Sequence, residues 1–418
     1  MALISFTETL NLKGGLLEDL ALLSNLEILS LDHNNLTDIE SVRPLSHISQ
    51  LTLGYNQFVG ELPKWLGELS SLQVLGLSSN GFTSTLPSEL KVLTELTNLA
   101  LDDNDFDGNL QVLEDMPSLE KVYLEDNLFT GTMDNDFLKK LEKIKVLDLS
   151  NNNINGHLGR HLLRLSQLEI LDLSGNNLTG NLPDFPHTRS LKFLSLHNNF
   201  FEGSLPSSIS RFSSLQYFDI SNNRLSGDLP SHALNTMTSL KSLFLSTNRY
   251  FTPGPLPDLR NLTRLRELSM KETARTGAIP TWIAELHELT LLDLNNNRIN
   301  STIPSQLGSM SDLNFLLVNR NELTGKVPVE LRNLKRLNLL IMDENLLTGD
   351  ADRLCTLDLP VLIADCAEVR CDCCTTCCSE SQPCLDRGWL ANYEPIWEKR
   401  YSRDIYQSAD DVVFVPVN

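Results

Sequence analysis

The chain has 418 residues, of which 41% are hydrophobic, and a formal net charge of −20 at pH 7. This acidity argues against nucleic acid as a partner and against an anionic membrane surface, because both repel negative charge. No run of about 18 apolar residues occurs, so the sequence predicts no transmembrane segment in this chain.

The N-terminal stretch MALISFTETLNLKGG lacks the basic residues and the long apolar run of a secretory signal peptide. A leucine pattern is already visible at Leu10-Asn11-Leu12, so we expect residues 1–25 to form a degenerate first coil. The missing signal peptide leaves two interpretations open. Either the protein stays inside the cell, or the sequence is a fragment of a longer one.

From residue 26 to 350 the sequence repeats the frame L-x-x-L-x-L-x-x-N-x-L about every 24 residues. This period and frame are typical of leucine-rich repeats and predict a solenoid of about 14 coils over 26–350. The recurring residue, here called the ladder asparagine, occurs at Asn34, Asn56, Asn80, Asn104, Asn127, Asn152, Asn176, Asn199, Asn223, Asn248, Asn297, Asn321 and Asn345.

In each coil the L-x-L core predicts a short strand whose leucines point inward and whose other residues point outward. Neighbouring coils would pair these strands into one parallel sheet. The ladder asparagine can then donate to and accept from backbone groups of adjacent coils. Thr273 takes this position in one coil and can make only part of these bonds. We therefore expect the 266–280 coil to be locally weak.

A second pattern, x-L-x-G-x-L/I-P, follows the asparagine, as at Gly180 to Pro183 and Gly227 to Pro230. Glycine permits the turn and proline suits a helix start, so a short helical stretch is expected next, as at 88–96. Over 48–350 this extension resembles plant-type extracellular leucine-rich repeat proteins. That group comprises the ectodomains of receptor-like kinases, the receptor-like proteins and the polygalacturonase-inhibiting proteins. The family's cysteine-paired N-terminal cap is absent from the sequence.

The resemblance implies an α/β solenoid, a right-handed leucine-rich repeat superhelix with a concave parallel β-sheet and short convex helices or 3-10 turns. It also implies recognition of a protein, peptide or glycan ligand on the concave sheet, in cell-surface signalling or defence. Two alternatives remain, a soluble inhibitor of a secreted enzyme and an intracellular scaffold.

The outward strand positions are the candidate partner-binding residues. Aromatic rings on a rigid sheet are typical anchors for a partner, although such rings also pack against each other. The acids suit a basic partner or calcium, or form a solvated face. The candidates are Tyr123, Phe193, Tyr217, Phe244, Asp102, Glu125 and Asp148.

The cysteines are confined to one segment, 351–384, which we interpret as a C-terminal cap. They are Cys355, Cys366, Cys371, Cys373, Cys374, Cys377, Cys378 and Cys384. Their even number and terminal position favour disulfides, while the C-x-x-C spacing of Cys374 and Cys377 leaves zinc open. Such a dense cluster resembles the caps of some microalgal leucine-rich repeat proteins.

Disulfides would place the protein in an oxidising compartment, at the cell surface or outside the cell. The sequence also contains N-glycosylation sequons at Asn35, Asn177, Asn261 and Asn300, of which the first two also arise from the repeat itself.

No hydrolase, metalloprotease, kinase or dinucleotide-binding motif occurs in the sequence, so we expect neither an enzyme nor a cofactor or metal. The remaining segment, 385–418, is rich in aromatic residues, including Trp389 and Trp397. It has no function predicted from its sequence.

Overall fold

The computed structural model describes residues 3–5, 12–15, 22–133, 139–159, 162, 165–185 and 189–378. These residues fall into two compact units, of which the first ends at Phe200 and the second begins at Phe201. Both are built from short strands and single helical turns, as expected for stacked coils.

In the first unit each coil contributes one strand to a main parallel sheet and, in most coils, a second strand to a smaller sheet. The main sheet has the order β1-β3-β5-β7-β9-β11-β12-β14-β16. The smaller pairings are β2-β4, β6-β8-β10 and β13-β15. The strands are β1 (Leu3–Ser5), β2 (Lys13–Gly15), β3 (Ile28–Ser30), β4 (Asn35–Asp38), β5 (Gln50–Thr52), β6 (Val59–Glu61), β7 (Val74–Gly76), β8 (Gly81–Thr85), β9 (Asn98–Ala100), β10 (Asp105–Asp107), β11 (Lys121–Tyr123), β12 (Val146–Asp148), β13 (Asn155–Gly156), β14 (Ile170–Asp172), β15 (Asn177–Asn181) and β16 (Phe193–Ser195).

The second unit repeats this arrangement. Its main parallel sheet has the order β18-β20-β22-β24-β26-β28-β30-β32. The smaller pairings are β17-β19-β21, β23-β25 and β27-β29-β31. The strands are β17 (Phe200–Ser204), β18 (Tyr217–Asp219), β19 (Arg224–Gly227), β20 (Ser242–Phe244), β21 (Tyr250–Phe251), β22 (Glu267–Ser269), β23 (Thr276–Gly277), β24 (Leu291–Asp293), β25 (Arg298–Ile299), β26 (Phe315–Leu317), β27 (Thr324–Lys326), β28 (Leu339–Ile341), β29 (Leu346–Asp350), β30 (Val361–Asp365), β31 (Val369–Arg370) and β32 (Thr376–Cys378).

Proline and glycine define the second half of each coil. In most coils a proline is the N-cap of the helical turn, as Pro87 is for the turn at Ser88–Val92. The preceding glycine has a positive φ, +80° at Gly180, a conformation that glycine adopts without steric cost. The described helical segments are α1 (Ser231–Asn235) and the 3-10 turns Glu40–Val42, Lys64–Glu68, Ser88–Val92, Gln111–Asp115, Ser207–Arg211, Thr281–Glu285, Ser305–Ser309, Val329–Asn333 and Asp352–Leu357.

The leucines of the frame form the interior of the stack. Leu171 and Leu173 are 2% and 1% exposed. In the first unit the position two residues after the ladder asparagine is often phenylalanine, and successive rings stack with centroids 5.9 to 6.1 Å apart. The predicted solenoid, with a parallel sheet and short 3-10 turns, is confirmed. Strands β30 and β32 extend the main sheet of the second unit into the cysteine-rich segment.

Each ladder asparagine connects two consecutive coils. Asn176 is 5% exposed, and its Nδ2 donates to the carbonyl oxygens of Leu173 at 3.2 Å and Ser174 at 3.0 Å in its own coil. The same Nδ2 donates to Leu149 O of the previous coil at 2.8 Å, and Oδ1 accepts from Ile154 N at 3.0 Å. These bonds satisfy buried backbone groups at the turn and fix the spacing of the strands.

The Thr273 coil keeps part of this network and adds a buried arginine. Thr273 Oγ1 donates to Met270 O of its own coil at 2.7 Å and to Asn297 Oδ1 of the next coil at 3.5 Å. Arg275 occupies a leucine position of the frame and is 2% exposed. Its guanidinium donates to the carbonyl oxygens of Thr273 at 2.9 Å, Thr252 at 2.6 Å and Pro255 at 3.3 Å.

We expect Arg275→Met to lower the free energy of unfolding by about 3 kcal/mol, because it leaves buried carbonyls without donors. Urea denaturation of the full chain provides the measurement. Arg298→Met is the matched control, since Arg298 is exposed and its loss should change stability by less than about 0.5 kcal/mol. Equal effects of the two substitutions would show that Arg275 does not support its coil.

Candidate binding face

The outward side chains of the main sheets form two parallel rows. The first row contains the residues six positions before the ladder asparagine, and the second row the residues four positions before it. Strand register aligns Tyr217 with Ser242 in the first row, and Asp219 with Phe244 in the second. Because paired strands lie about 4.8 Å apart, each row presents regularly spaced side chains on a fixed backbone.

In the first unit the second row carries acids on two neighbouring strands, β12 and β14. Register places Tyr123, Asp148 and Asp172 side by side. Asp148 Oδ1 accepts from the backbone N and the Oγ of Ser150, at 2.9 and 2.8 Å. Asp172 is bonded to Ser174 in the same way. These bonds hold the carboxylates in place on the outward side of the sheet.

The predicted acidic candidates come together around Glu125. Burial raises the pKa of Glu125 well above its ordinary value, and the nearby carboxylates of Asp148 and Asp102 raise it further. In the part of the chain that the structure describes, no group of three or more His, Cys, Asp or Glu residues is arranged to hold a metal ion. The carboxyl groups of this cluster therefore repel one another when they are ionised.

The aromatic candidates lie in the outward rows, and three of the four are almost fully buried. Phe193 and Tyr217 are 1% and 3% exposed, and Tyr123 is 6% exposed. Tyr217 donates its hydroxyl to Asp219 at 3.3 Å, and its ring lies 5.7 Å from that of Phe244, which is partly exposed. The rings are packed, as the alternative interpretation of these residues allowed.

Sequence reasoning missed an apolar part of this face in the second unit, here called the C-terminal apolar patch. In strands β24, β26, β28 and β30 both outward rows are largely apolar. The patch consists of the buried residues Leu291, Leu317, Leu339, Ile341, Ile363 and Cys378, with the partly buried Phe244, Phe315 and Val361 packed against them. The signal was present in the sequence as the continuous apolar runs FLLV, LLIM and VLIA.

A buried carboxyl lies at the end of β28. Burial raises the pKa of Asp343 to about 6, and the carboxylates of Asp365 and Glu344 add to the shift, while Arg320 opposes it. Asp343 is 2% exposed. Its ionised form is thus disfavoured in the folded state, so this group lowers stability at neutral pH. The penalty shrinks as pH falls below the folded pKa of about 6 and is gone below the ordinary value of 3.8.

We expect Asp343→Asn to raise the free energy of unfolding by about 2 kcal/mol near pH 7.5, and by progressively less as the pH approaches about 4. Urea denaturation across this pH range provides the measurement. Asp312→Asn is the control, because it removes the same charge from an exposed ion pair with Arg336. A pH-independent effect of Asp343→Asn would contradict this explanation.

The cysteine-rich segment is closed by disulfides, as the sequence favoured over zinc. The bonds join Cys355 to Cys373, Cys366 to Cys377, and Cys371 to Cys374. Cys378 is also disulfide-bonded. Cys384 and the segment 385–418 lie outside the described residues.

The sequon asparagines do not lie in the core. Asn177, Asn261 and Asn300 are exposed, and Asn35 is partly exposed. The helices of the described part are short turns, and none has the length and apolar character needed to cross a membrane.

Family models for the leucine-rich repeat match this chain in several segments. One matches residues 117–178, and a second matches 71–93, 190–212, 214–235 and 288–310. A receptor-like kinase, TMK4 of Arabidopsis thaliana, is 35% identical over 65 residues, which is 16% of this chain and 7% of that protein.

Solved structures extend the similarity to most of the chain. The ectodomain of the receptor kinase GASSHO1/SCHENGEN3 from Arabidopsis thaliana, in complex with CASPARIAN STRIP INTEGRITY FACTOR 2, has a TM-score of 0.63 and 27% identity, covering 83% of this chain and 48% of its own. The Arabidopsis receptor kinase HAESA, in complex with the peptide hormone IDA and the co-receptor SERK1, has a TM-score of 0.62 and 27% identity, covering 84% and 71%. The solenoid is similar to those of plant leucine-rich repeat receptor ectodomains. The chain spans about half the length of the GASSHO1 ectodomain and a small part of TMK4.

Proposed function

We propose that this chain recognises a peptide or protein partner on the outward face of its main sheets, as the ligand-binding part of a cell-surface signalling or defence receptor. The observation that carries the proposal is the pair of outward rows, in which polar, acidic and aromatic side chains are held at fixed spacing by strand pairing and by the ladder asparagines. The proposed role is binding without catalysis.

The rigidity of the rows supports binding. An extended peptide or a loop loses conformational freedom when it binds, and a surface that is already ordered adds little further entropic cost. The carboxylates of Asp148 and Asp172 are oriented by Ser150 and Ser174, so a partner need not reorganise them. This face is preorganised in the same way as an interface between folded proteins.

The side-chain chemistry suggests what the partner carries. The acidic group around Glu125 favours lysine or arginine side chains, since a cation would offset the mutual repulsion of the carboxylates. The Tyr217–Phe244 pair offers ring surface for an apolar side chain. A basic side chain thus matches the acids of the first unit, and an apolar side chain matches the ring pair of the second.

The structural neighbours support the same class of ligand. HAESA is bound to a peptide hormone and a co-receptor in its structure, and GASSHO1/SCHENGEN3 is a plant membrane receptor kinase. The disulfides of the cysteine-rich segment fit an oxidising compartment, and the accessible sequons fit a secreted glycoprotein. Both features favour the cell surface or the extracellular space over an intracellular scaffold.

A random-peptide phage library selected on the immobilised full chain tests the proposal. We expect the selected peptides to bind the variant with both Asp148→Asn and Asp172→Asn at least about tenfold more weakly than the unmodified chain. This variant lacks the two carboxylates that would contact basic side chains of the peptide. Fluorescence anisotropy of the labelled peptide gives the dissociation constants. Circular dichroism of each variant reports whether the fold is retained.

The matched control carries Asp105→Asn and Asp107→Asn, because both residues are exposed on the smaller strand β10 and carry the same charge. The control should leave affinity within about twofold. If the selected peptides bind the two variants with equal affinity, the outward face is not the recognition surface.

A further inference from the structure

The three disulfides whose cysteines both belong to the described residues close loops of different length. Cys355–Cys373 has a sequence separation of 18 and Cys366–Cys377 one of 11, whereas Cys371–Cys374 has a separation of only 3. A disulfide stabilises a fold mainly by restricting the unfolded chain, and this effect becomes smaller as the closed loop becomes shorter. Of the three bonds, Cys371–Cys374 is therefore expected to contribute least to the stability of the cysteine-rich segment.

The two longer bonds also join separate elements. Cys355 lies in the 3-10 turn Asp352–Leu357, and its partner Cys373 lies between β31 and β32. Cys366 directly follows β30, and its partner Cys377 belongs to β32, the next strand of the main sheet. The remaining pair, by contrast, lies entirely in the short segment between β31 and β32. Its bond therefore closes a single turn.

Hydrogen bonds on both sides of this turn hold it independently of its disulfide. Asp372 N donates to Asp352 Oδ1 at 2.8 Å. Thr375 N donates to Leu362 O at 2.9 Å, and Thr375 Oγ1 accepts from Leu362 N at 3.0 Å. These bonds connect the turn to the preceding 3-10 turn and to β30. Opening the short disulfide would therefore leave the turn in place.

We infer that the Cys371–Cys374 disulfide is a site of reversible thiol–disulfide exchange whose substrate is a dithiol reductant. Both cysteines are partly exposed, which gives an attacking thiolate access to the bond. The two residues have the C-x-x-C spacing of redox-active cysteine pairs. Their Cα atoms are 5.4 Å apart, so the same bond can form again without rearrangement of the coil. Partial exposure is common to the three bonds, and the short loop singles out this one.

The exchange transfers two electrons from the dithiol to the disulfide. A thiolate of the dithiol attacks the sulfur of one cysteine, the S–S bond breaks, and the other cysteine leaves as a thiolate that takes up a proton. The second thiol of the dithiol then loses its proton and attacks the mixed disulfide, which releases the first cysteine to be protonated in turn. The products are two cysteine thiols and the oxidised dithiol. This inference goes beyond the proposed function, since the exchange stands whether or not a partner binds the outward face.

Graded reduction of the full chain tests the inference. The oxidised protein is equilibrated with mixtures of reduced and oxidised dithiothreitol, quenched with acid and then alkylated with N-ethylmaleimide. Tandem mass spectrometry of proteolytic peptides locates each label. We expect the Cys371–Cys374 bond to open at a ratio of reduced to oxidised dithiothreitol at least about tenfold lower than the ratio that opens the two longer bonds. Simultaneous opening of the three bonds, or earlier opening of either longer bond, would overturn the inference.

Reversibility and the effect on the fold complete the test. Returning the partly reduced chain to oxidised dithiothreitol should restore the same bond, and circular dichroism should report the same fold in both states. Cys371→Ser with Cys374→Ser should melt close to the unmodified chain, whereas the matched Cys366→Ser with Cys377→Ser should melt at a lower temperature than that variant. Loss of the fold when the short bond opens, re-formation with other cysteines, or an equal decrease in melting temperature for both double variants would mark the bond as a structural staple and rule out the inference.

Discussion

Leu171→Asp combined with Leu173→Asp should unfold the first unit, with a loss of more than about 5 kcal/mol, because each change removes a buried leucine and places a carboxylate inside the stack. The two leucines are 2% and 1% exposed, so neither charge can reach water without opening the coil. Each coil relies on its neighbours for burial, so the loss should spread beyond one coil. Circular dichroism during thermal unfolding gives the result.

Ser166→Asp with Gln167→Asp is the control for this pair. Both residues are exposed in the same coil, and the added charge is the same. The control should unfold within a few degrees of the unmodified chain. A soluble, fully folded double-leucine variant would show that these leucines do not form the interior.

Asn176→Ala should cost roughly 3 to 5 kcal/mol, although it removes no apolar surface. The change leaves the carbonyl oxygens of Leu149, Leu173 and Ser174 without this donor and Ile154 N without its acceptor. Buried backbone groups that lose their partners carry the full cost of desolvation. Urea denaturation measures the change.

The neighbouring Asn153 provides the comparison. It is an exposed asparagine of the preceding coil, and Asn153→Ala should change stability by less than about 0.5 kcal/mol. If the two alanine variants are equally stable, the ladder asparagines do not hold the coils together.

The repeat could be predicted in detail because its physics is local. The inward position of Leu171, the outward position of Asp172 and the role of Asn176 all follow from spacing within one coil and are repeated in the next. The proline at the helical turn is equally local, because its ring sets its own φ. Such features need no knowledge of distant residues.

Other features depend on what lies next to a residue in space. Thr273 suggested weakness, but the frame gave no sign that a buried arginine, Arg275, stands at a leucine position and donates to the carbonyl oxygens of Thr273 and Thr252. The choice between zinc and disulfides at Cys374 and Cys377 needed the folded geometry, because eight cysteines allow many pairings.

The candidate face was predicted in position but not in environment. Phe193 and Tyr217 lie in the predicted outward row, yet they are almost fully buried. Exposure depends on what packs over a sheet, and the repeat frame carries no information about that. The apolar runs at 315–318 and 339–342 did carry it, because an outward apolar residue on successive strands indicates a covered face.

Hydroxyl-radical footprinting of the full chain, with and without a peptide selected on it, tests the proposed recognition surface most directly. We expect reduced oxidation of the partly exposed outward-row residues Phe244 and Phe315 when the peptide is bound. Oxidation of Leu346, which is 62% exposed on the smaller strand β29, should not change. Protection of Leu346 and of the 3-10 turns, with no change in the outward rows, would contradict the account.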